Sequence, residues 1–153
     1  MLVNLRSQWA DAIDQELPLP EYPRPQLVRE QWENLNGKWD ACVHSPEREP
    51  DFSASILVPF PLGSALSGFD HVLQPDEVLT MRTYFEHSLS DGPDRLRLHF
   101  GGVDWACEVW INDVGVGSHT GGFDPFYIDI TDALIPGSSQ KLVISITDPT
   151  DTG

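Results

Sequence analysis

The segment Trp105-Ala106-Cys107-Glu108-Val109-Trp110-Ile111 constrains this chain most. Trp105, Cys107, Val109 and Ile111 form one set, and Ala106, Glu108 and Trp110 the other. A period of two is what a half-covered β-strand demands, because neighbouring side chains leave opposite faces of the sheet. The alternation recurs. Residues 38–44 put Trp39, Ala41 and Val43 together, 80–87 put Met81, Thr83 and Phe85 opposite Arg82, Tyr84 and Glu86, and 95–100 put Leu96, Leu98 and Phe100 inward with Arg95, Arg97 and His99 outward. Residues 126–130 and 141–147 repeat the pattern, and 55–58 is a short apolar run closed by Pro59 and Pro61. Turn formers separate these runs: Asp91-Gly92-Pro93, Asn112-Asp113, Gly121-Gly122 and Pro136-Gly137-Ser138. Without crossover helices, seven or eight short strands predict an all-β fold, an antiparallel β-sandwich. Its expected core is Trp39, Leu57, Phe85, Leu96, Leu98, Phe100, Trp105, Val109, Ile111, Phe126, Ile128, Leu142 and Ile144.

Residues 1–37 read differently. Ser7 is placed to cap a short helix over 9–16, with Trp9, Ala12 and Ile13 on one face, and a second helical turn is expected over 27–33. Between them, Pro18, Pro20, Pro23 and Pro25 forbid a helix or a central strand. That stretch is expected to be an extended strap anchored by Tyr22. The domain division is therefore a strap with a short helix over 1–37 and a sandwich over 38–153.

Nine Lys and Arg against 24 Asp and Glu give a net charge of −15. Phosphate recognition needs clustered cations, so nucleic acid and an anionic membrane surface are excluded as partners. No stretch approaches the ~20 apolar residues that span a bilayer. The opening Met1-Leu2-Val3-Asn4-Leu5-Arg6 lacks the charged start and apolar centre of a signal peptide, which makes a cytoplasmic location the expectation. Cys42 and Cys107, with no CxxC, are expected to be buried free thiols. No GxSxG, HExxH or Walker loop is present, and the five histidines lack ligand spacing. A glycosidase needs two carboxyls roughly 5–9.5 Å apart, and nothing singles out such a pair. No catalytic residue, metal site or cofactor is therefore assigned.

The most informative motifs lie between residues 100 and 131. Trp110-Ile111-Asn112 is followed by a hairpin, by Val116-Gly117-Ser118-His119, by Gly121-Gly122-Phe123-Asp124-Pro125-Phe126, and by Asp129-Ile130-Thr131. Upstream stand Tyr22-Pro23-Arg24-Pro25, Leu35-Asn36-Gly37-Lys38-Trp39, Ile56-Leu57-Val58-Pro59-Phe60-Pro61 and Ser64-Ala65-Leu66-Ser67-Gly68. In this order the motifs resemble the N-terminal sugar-binding domain of glycoside hydrolase family 2, the family of β-galactosidases, β-glucuronidases and β-mannosidases. The resemblance runs over about residues 9–153. It implies a jelly-roll, galactose-binding-domain-like sandwich, followed in the parent enzyme by an immunoglobulin-like domain and a (β/α)₈ barrel that carries both catalytic glutamates. The end, Asp148-Pro149-Thr150-Asp151-Thr152-Gly153, resembles the junction into that second domain, so the chain is expected to be a fragment. One departure stands near residue 80. The family's Trp-Tyr-Arg-Arg run reads Thr80-Met81-Arg82-Thr83 here, so only Arg82 survives.

Each motif also has a physical reading. Asn112-Asp113 suits the positive φ of a two-residue hairpin turn, and Asp129 or Thr131 can tie the backbone of the next turn. Gly121 and Gly122 permit a sharp turn and a close backbone approach. With His119, Phe123 and Asp124 they form the candidate substrate-binding set, a pocket rim that orients a sugar through hydrogen bonds. Carbohydrate is the expected ligand, bound weakly by this chain alone. Among parent activities β-galactosidase is favoured, since a uronic acid wants a cation and no Lys or Arg lies between Arg97 and Lys141. The alternative is a freestanding carbohydrate-binding or protein-interaction module. A third class, an independent small hydrolase, requires turnover by this chain itself.

Overall fold

The computed structural model describes residues 7–22, 25–87 and 95–149. Residues 1–6, Pro23 and Arg24 of the strap, the turn at Asp91-Gly92-Pro93 and the junction residues 150–153 lie outside the described residues. Among the described residues eight strands form: β1 (Gly37–His44), β2 (Ala54–Val58), β3 (Val78–Glu86), β4 (Arg97–Phe100), β5 (Ala106–Ile111), β6 (Val114–Thr120), β7 (Phe126–Asp129) and β8 (Ser139–Thr147). The chain divides into two compact units, Met1–Trp39 with Ser55–Val72, and Asp40–Ala54 with Leu73–Gly153. No helix among the described residues is long and apolar enough to cross a membrane.

In the first unit the strap is held by side chains reaching its carbonyls. Asn34 Nδ2 donates to Leu19 O at 3.1 Å and Asn36 Nδ2 to Pro18 O at 3.0 Å. Tyr22 sets its ring edge-on to Trp32 at 4.9 Å, which gives the expected aromatic anchor a partner. The expected helix over 9–16 shrinks to one 3₁₀ turn, Ala10–Ala12. Ser7 serves it through its backbone carbonyl, which accepts from Ala10 N, and Ile13 is already extended. A single turn never recovers the cost of nucleation, and prolines follow at once. The second turn sits at Pro25–Leu27 rather than 27–33, because proline presets the first helical φ.

The second unit holds an antiparallel sheet running β1-β3-β8-β5-β6 and a two-stranded antiparallel sheet of β4 and β7. Rows of register partners cross the larger sheet. Ala41, Met81, Ile144, Val109 and Gly117 make one row, and Val43, Leu79, Ile146, Cys107 and His119 the next. These rows share a face, and Ala41, Leu79, Met81, Cys107, Val109, Ile144 and Ile146 are all buried in it. The opposite face carries Thr80, Ser145, Glu108 and Ser118 in the intervening row. At Gly117 an added Cβ would stand 3.1 Å from Ile128 Cδ1, so β7 of the small sheet lies close over β6.

The expected core is buried at Trp39, Phe85, Val109, Ile111, Ile128, Leu142 and Ile144. Leu57, Leu96, Leu98, Phe100 and Phe126 are half-buried. Trp105 departs further, at 38 % exposed. It precedes the first residue of β5, so the strand's alternation no longer sets its direction.

The hairpin between β5 and β6 turns at Asn112 and Asp113, with φ of 50° and 68°, as a two-residue turn requires. Asn112 Nδ2 donates to Gln140 Oε1 at 2.7 Å and to Ala133 O at 2.9 Å, while Asn112 Oδ1 accepts from Lys141 N at 2.9 Å. Gln140 is wholly buried. Its Oε1 also accepts from Ile135 N, and its Nε2 donates to Ile135 O and Ser138 O. Removing a partner from so closed a network strands buried polar groups. Gln140→Ala is therefore expected to lower the unfolding free energy by about 2–4 kcal/mol in urea titration.

The next turn is tied as expected. Asp129 Oδ1 accepts from Thr131 Oγ1 at 2.7 Å and from Thr131 N at 3.1 Å, and Thr131 Oγ1 accepts from Leu96 N at 2.9 Å. The Thr131 hydroxyl first, then the Arg95 guanidinium at 2.7 Å, lower the Asp129 carboxyl to about 2. A carboxyl lowered in the folded state stabilises the fold above its ordinary value near ~3.9, and that contribution fades as pH falls toward the folded value. Asp129→Asn is thus expected to lower Tm at pH 7. Its deficit relative to the parent sequence should shrink as melts are recorded from pH 4 down to pH 2.

Candidate functional site

The five candidate residues come together where β6 runs into β7. Gly121 has a φ of +114°, a conformation that side chains avoid. Its N–H donates to Trp105 O at 2.8 Å. Its carbonyl accepts from His119 Nε2 at 3.2 Å, so that nitrogen carries the proton. The His119 ring stacks on Phe126 at 3.9 Å between centroids, and Phe126 stacks on Phe100 at 4.6 Å. Three rings from β6, β7 and β4 thereby fix both ends of the loop.

At Gly122 an added Cβ would meet the carboxyl group of exposed Asp104, which would have to turn aside to admit it. At Gly102 the same addition would come 2.9 Å from Gly122 O. The segments 101–105 and 121–124 thus pack backbone against backbone. Phe123 follows at 94 % exposed, and Asp124, Asp104 and Pro125 are exposed too. No Lys or Arg occurs between Arg97 and Lys141, so this end of the unit presents carboxylates without nearby sequence cations.

The candidates therefore divide by what they touch. His119, Gly121 and Gly122 form the loop's frame, and Phe123 and Asp124 face solvent. Sequence reasoning missed Asp104 and Gly102 as the loop's counter-surface. Gly101-Gly102 was the available signal, since paired glycines permit close backbone approach. Arg82, the survivor of the altered run, is held by Asp40 Oδ2 at 2.8 Å and lies 4.1 Å above the Phe52 ring. Both cysteines are free and buried, and burial pushes the Cys107 thiol up, which keeps it protonated. Among the described residues no three His, Cys, Asp or Glu side chains are grouped to hold a metal ion.

The Gly122–Asp104 contact is directly testable. Gly122→Ala is expected to cost about 0.5–1.5 kcal/mol by turning the Asp104 carboxyl out of its preferred position. Adding Asp104→Gly should restore most of that loss in urea titration, because it removes the side chain that the new methyl meets.

The family profile described as glycosyl hydrolase 2 galactose-binding domain-like matches residues 72–153, more than half of the chain. A β-glucuronidase of Paenibacillus borealis is 42 % identical over 53 residues, covering 35 % of this chain and 9 % of that protein. A β-galactosidase of Thermoanaerobacter pseudethanolicus is 37 % identical over 49 residues, covering 32 % of this chain and 7 % of that protein. Among solved structures, Ruminococcus gnavus β-glucuronidase superposes with a TM-score of 0.64 at 22 % identity, over 84 % of this chain and 23 % of that one. Faecalibacterium prausnitzii β-glucuronidase does so with a TM-score of 0.60 at 24 % identity, over 80 % and 22 %. The matches thus span under a quarter of each of these relatives, and at such identities the superpositions speak for the fold, an all-β galactose-binding-like sandwich. With the profile match over β3 to β8, they carry one conclusion: the chain belongs to the glycosyl hydrolase 2 galactose-binding domain-like family.

Proposed function

We propose that this chain is the non-catalytic sugar-binding domain of a family 2 retaining β-glycosidase. In that reading it packs against immunoglobulin-like and barrel domains of the parent enzyme and lends the 121–124 loop to the rim of the sugar pocket. The observation that carries the reading is the loop itself. Phe123 is 94 % exposed just past the glycine turn packed on 101–105, and a solvent-facing aromatic beside a carboxylate suits a sugar's apolar ring face and its hydroxyls. Asp124 accepts from hydroxyls, Phe123 covers the ring, and His119 holds the loop. Free, buried thiols accord with a reducing, cytoplasmic setting.

A β-galactoside is the substrate that fits this rim. A glucuronate carboxylate would approach Asp104 and Asp124 with no Lys or Arg of the 98–140 stretch to receive it. The second reading, a β-glucuronide, is favoured by the name of the relative at 42 % identity. Rates of the enzyme containing this chain on nitrophenyl β-galactoside and β-glucuronide decide between them, with the galactoside expected to be faster.

Asp124→Asn in that enzyme is expected to raise KM about 5- to 20-fold with kcat little changed and Tm unaltered. An unchanged KM would remove Asp124 from the rim. The chain alone is expected to turn over neither substrate and to bind monosaccharides too weakly for calorimetry. Micromolar affinity for a monosaccharide would favour the freestanding module instead.

A further inference from the structure

The alternating basic residues Arg95, Arg97 and His99 play no part in the loop. They stand on β4 and its approach, on the side away from Leu96, Leu98 and Phe100. On β7, Tyr127 is the register partner of His99 and is 57 % exposed, while its neighbours Phe126 and Ile128 are half-buried and buried. The outer face of the small sheet therefore gathers basic and aromatic groups in a chain of net charge −15. The Arg97 guanidinium lies 4.8 Å from the Tyr127 ring centroid, and His99 lies 5.7 Å from the same ring.

The cation is uncommitted. Arg97 faces Asp129 across the ladder, and that pairing would ordinarily consume it. Asp129 is taken, however. Its Oδ2 accepts from Arg95 Nη1 at 2.7 Å and its Oδ1 from the Thr131 hydroxyl and amide. Arg97 makes no ion pair or hydrogen bond among the described residues; its guanidinium lies over the Tyr127 ring. A ring 57 % exposed, with a guanidinium over it, offers one ligand two things at once: its remaining apolar surface, and a forked pair of donors for a carboxylate. A hexuronic acid carries both complements on a single ring. Polyanions fit less well, because a chain of net charge −15 repels them, whereas a ligand with one carboxylate meets mainly the local cations within a screening length of ~8 Å.

We propose that Arg97 and Tyr127 on the outer face of the β4–β7 sheet form a second carbohydrate site, selective for a uronic acid residue and separate from the 121–124 loop. The proposal rests on the carbohydrate-binding reading of the domain and not on which glycoside the parent enzyme cleaves. A shallow site of two side chains gives millimolar affinity.

The test is an NMR titration of the chain with methyl β-D-glucuronide and, separately, methyl β-D-glucoside, following the Tyr127 ring and the Arg97 side chain. The glucuronide should bind with a millimolar Kd and the glucoside at least about tenfold more weakly. Arg97→Ala and Tyr127→Ala should each abolish the glucuronide response, and Tyr127→Phe should keep it, with circular dichroism confirming that each variant is folded. Asp124→Asn should leave it unchanged, which separates this site from the loop. Equal binding of the two glycosides, persistence in Arg97→Ala, or full displacement by acetate at the same concentration would overturn the site. Failure of the glycosidase reading would show instead as absent turnover in the parent enzyme.

Discussion

The amide pair of half-buried Asn112 and wholly buried Gln140 fixes where the rest of the second unit goes. Asn112 occupies the first positive-φ position of the hairpin turn, and its side chain binds Gln140, Lys141 N and Ala133 O at once. That joins the β5–β6 turn to the start of β8 and to the segment before it. A one-residue slip of β6 against β5 would send every side chain of β6 to the wrong face. With the register held, Gly117 comes under Ile128 and His119 comes beside Phe126. Both contacts bring β7 to β6 and so decide where the 121–124 loop emerges. Gln140 is fully satisfied although wholly buried, so the network specifies one arrangement and strands no polar group.

Much of this was legible in the sequence because sheets write their faces into alternation. The odd positions of β5 and the inward residues of β8 are buried where the period of two put them. The turn at Asn112 and the tie at Asp129 were legible too, since few residue types serve those backbone geometries. Strand β6 was not. Its Gly115 and Gly117 remove the apolar signal, and Gly117 is a strand residue because Ile128 needs the space, a fact of tertiary packing. Gln140 was missed for a related reason. Polar residues read as surface unless their partners are known, and its partners lie at Asn112 and around Ile135. The N-terminal helix was over-read. Its apolar spacing is real, but eight residues before a proline run cannot sustain it.

The few cations of this acidic chain show how its charge is managed. Arg82, Arg95 and Lys141 each bind an aspartate, at 2.8, 2.7 and 2.6 Å. Such exposed pairs contribute little stability individually, about 0–1 kcal/mol. Their larger effect is on what stays free. By engaging Asp129, Arg95 and Thr131 leave Arg97 to the Tyr127 ring, and by engaging Asp113, Lys141 is held at the turn, away from the 121–124 loop. The two ends of β7 therefore differ in charge. The loop before it offers carboxylates, and the outer face of the strand itself offers a guanidinium.

The same separation of labour runs through the loop. His119, the residue whose chemistry most invites a functional reading, spends its Nε2 proton on Gly121 O and its ring on Phe126. Gly121 is there because its φ of +114° is one that side chains avoid, and at Gly122 an added Cβ would meet the Asp104 carboxyl. Phe123, at 94 % exposed, and the exposed Asp124 stand outside that frame. Exposing a phenylalanine fully forgoes about 1.5–3 kcal/mol of burial. The frame residues can be read from folding physics alone, whereas Phe123 draws no such stability from where it stands.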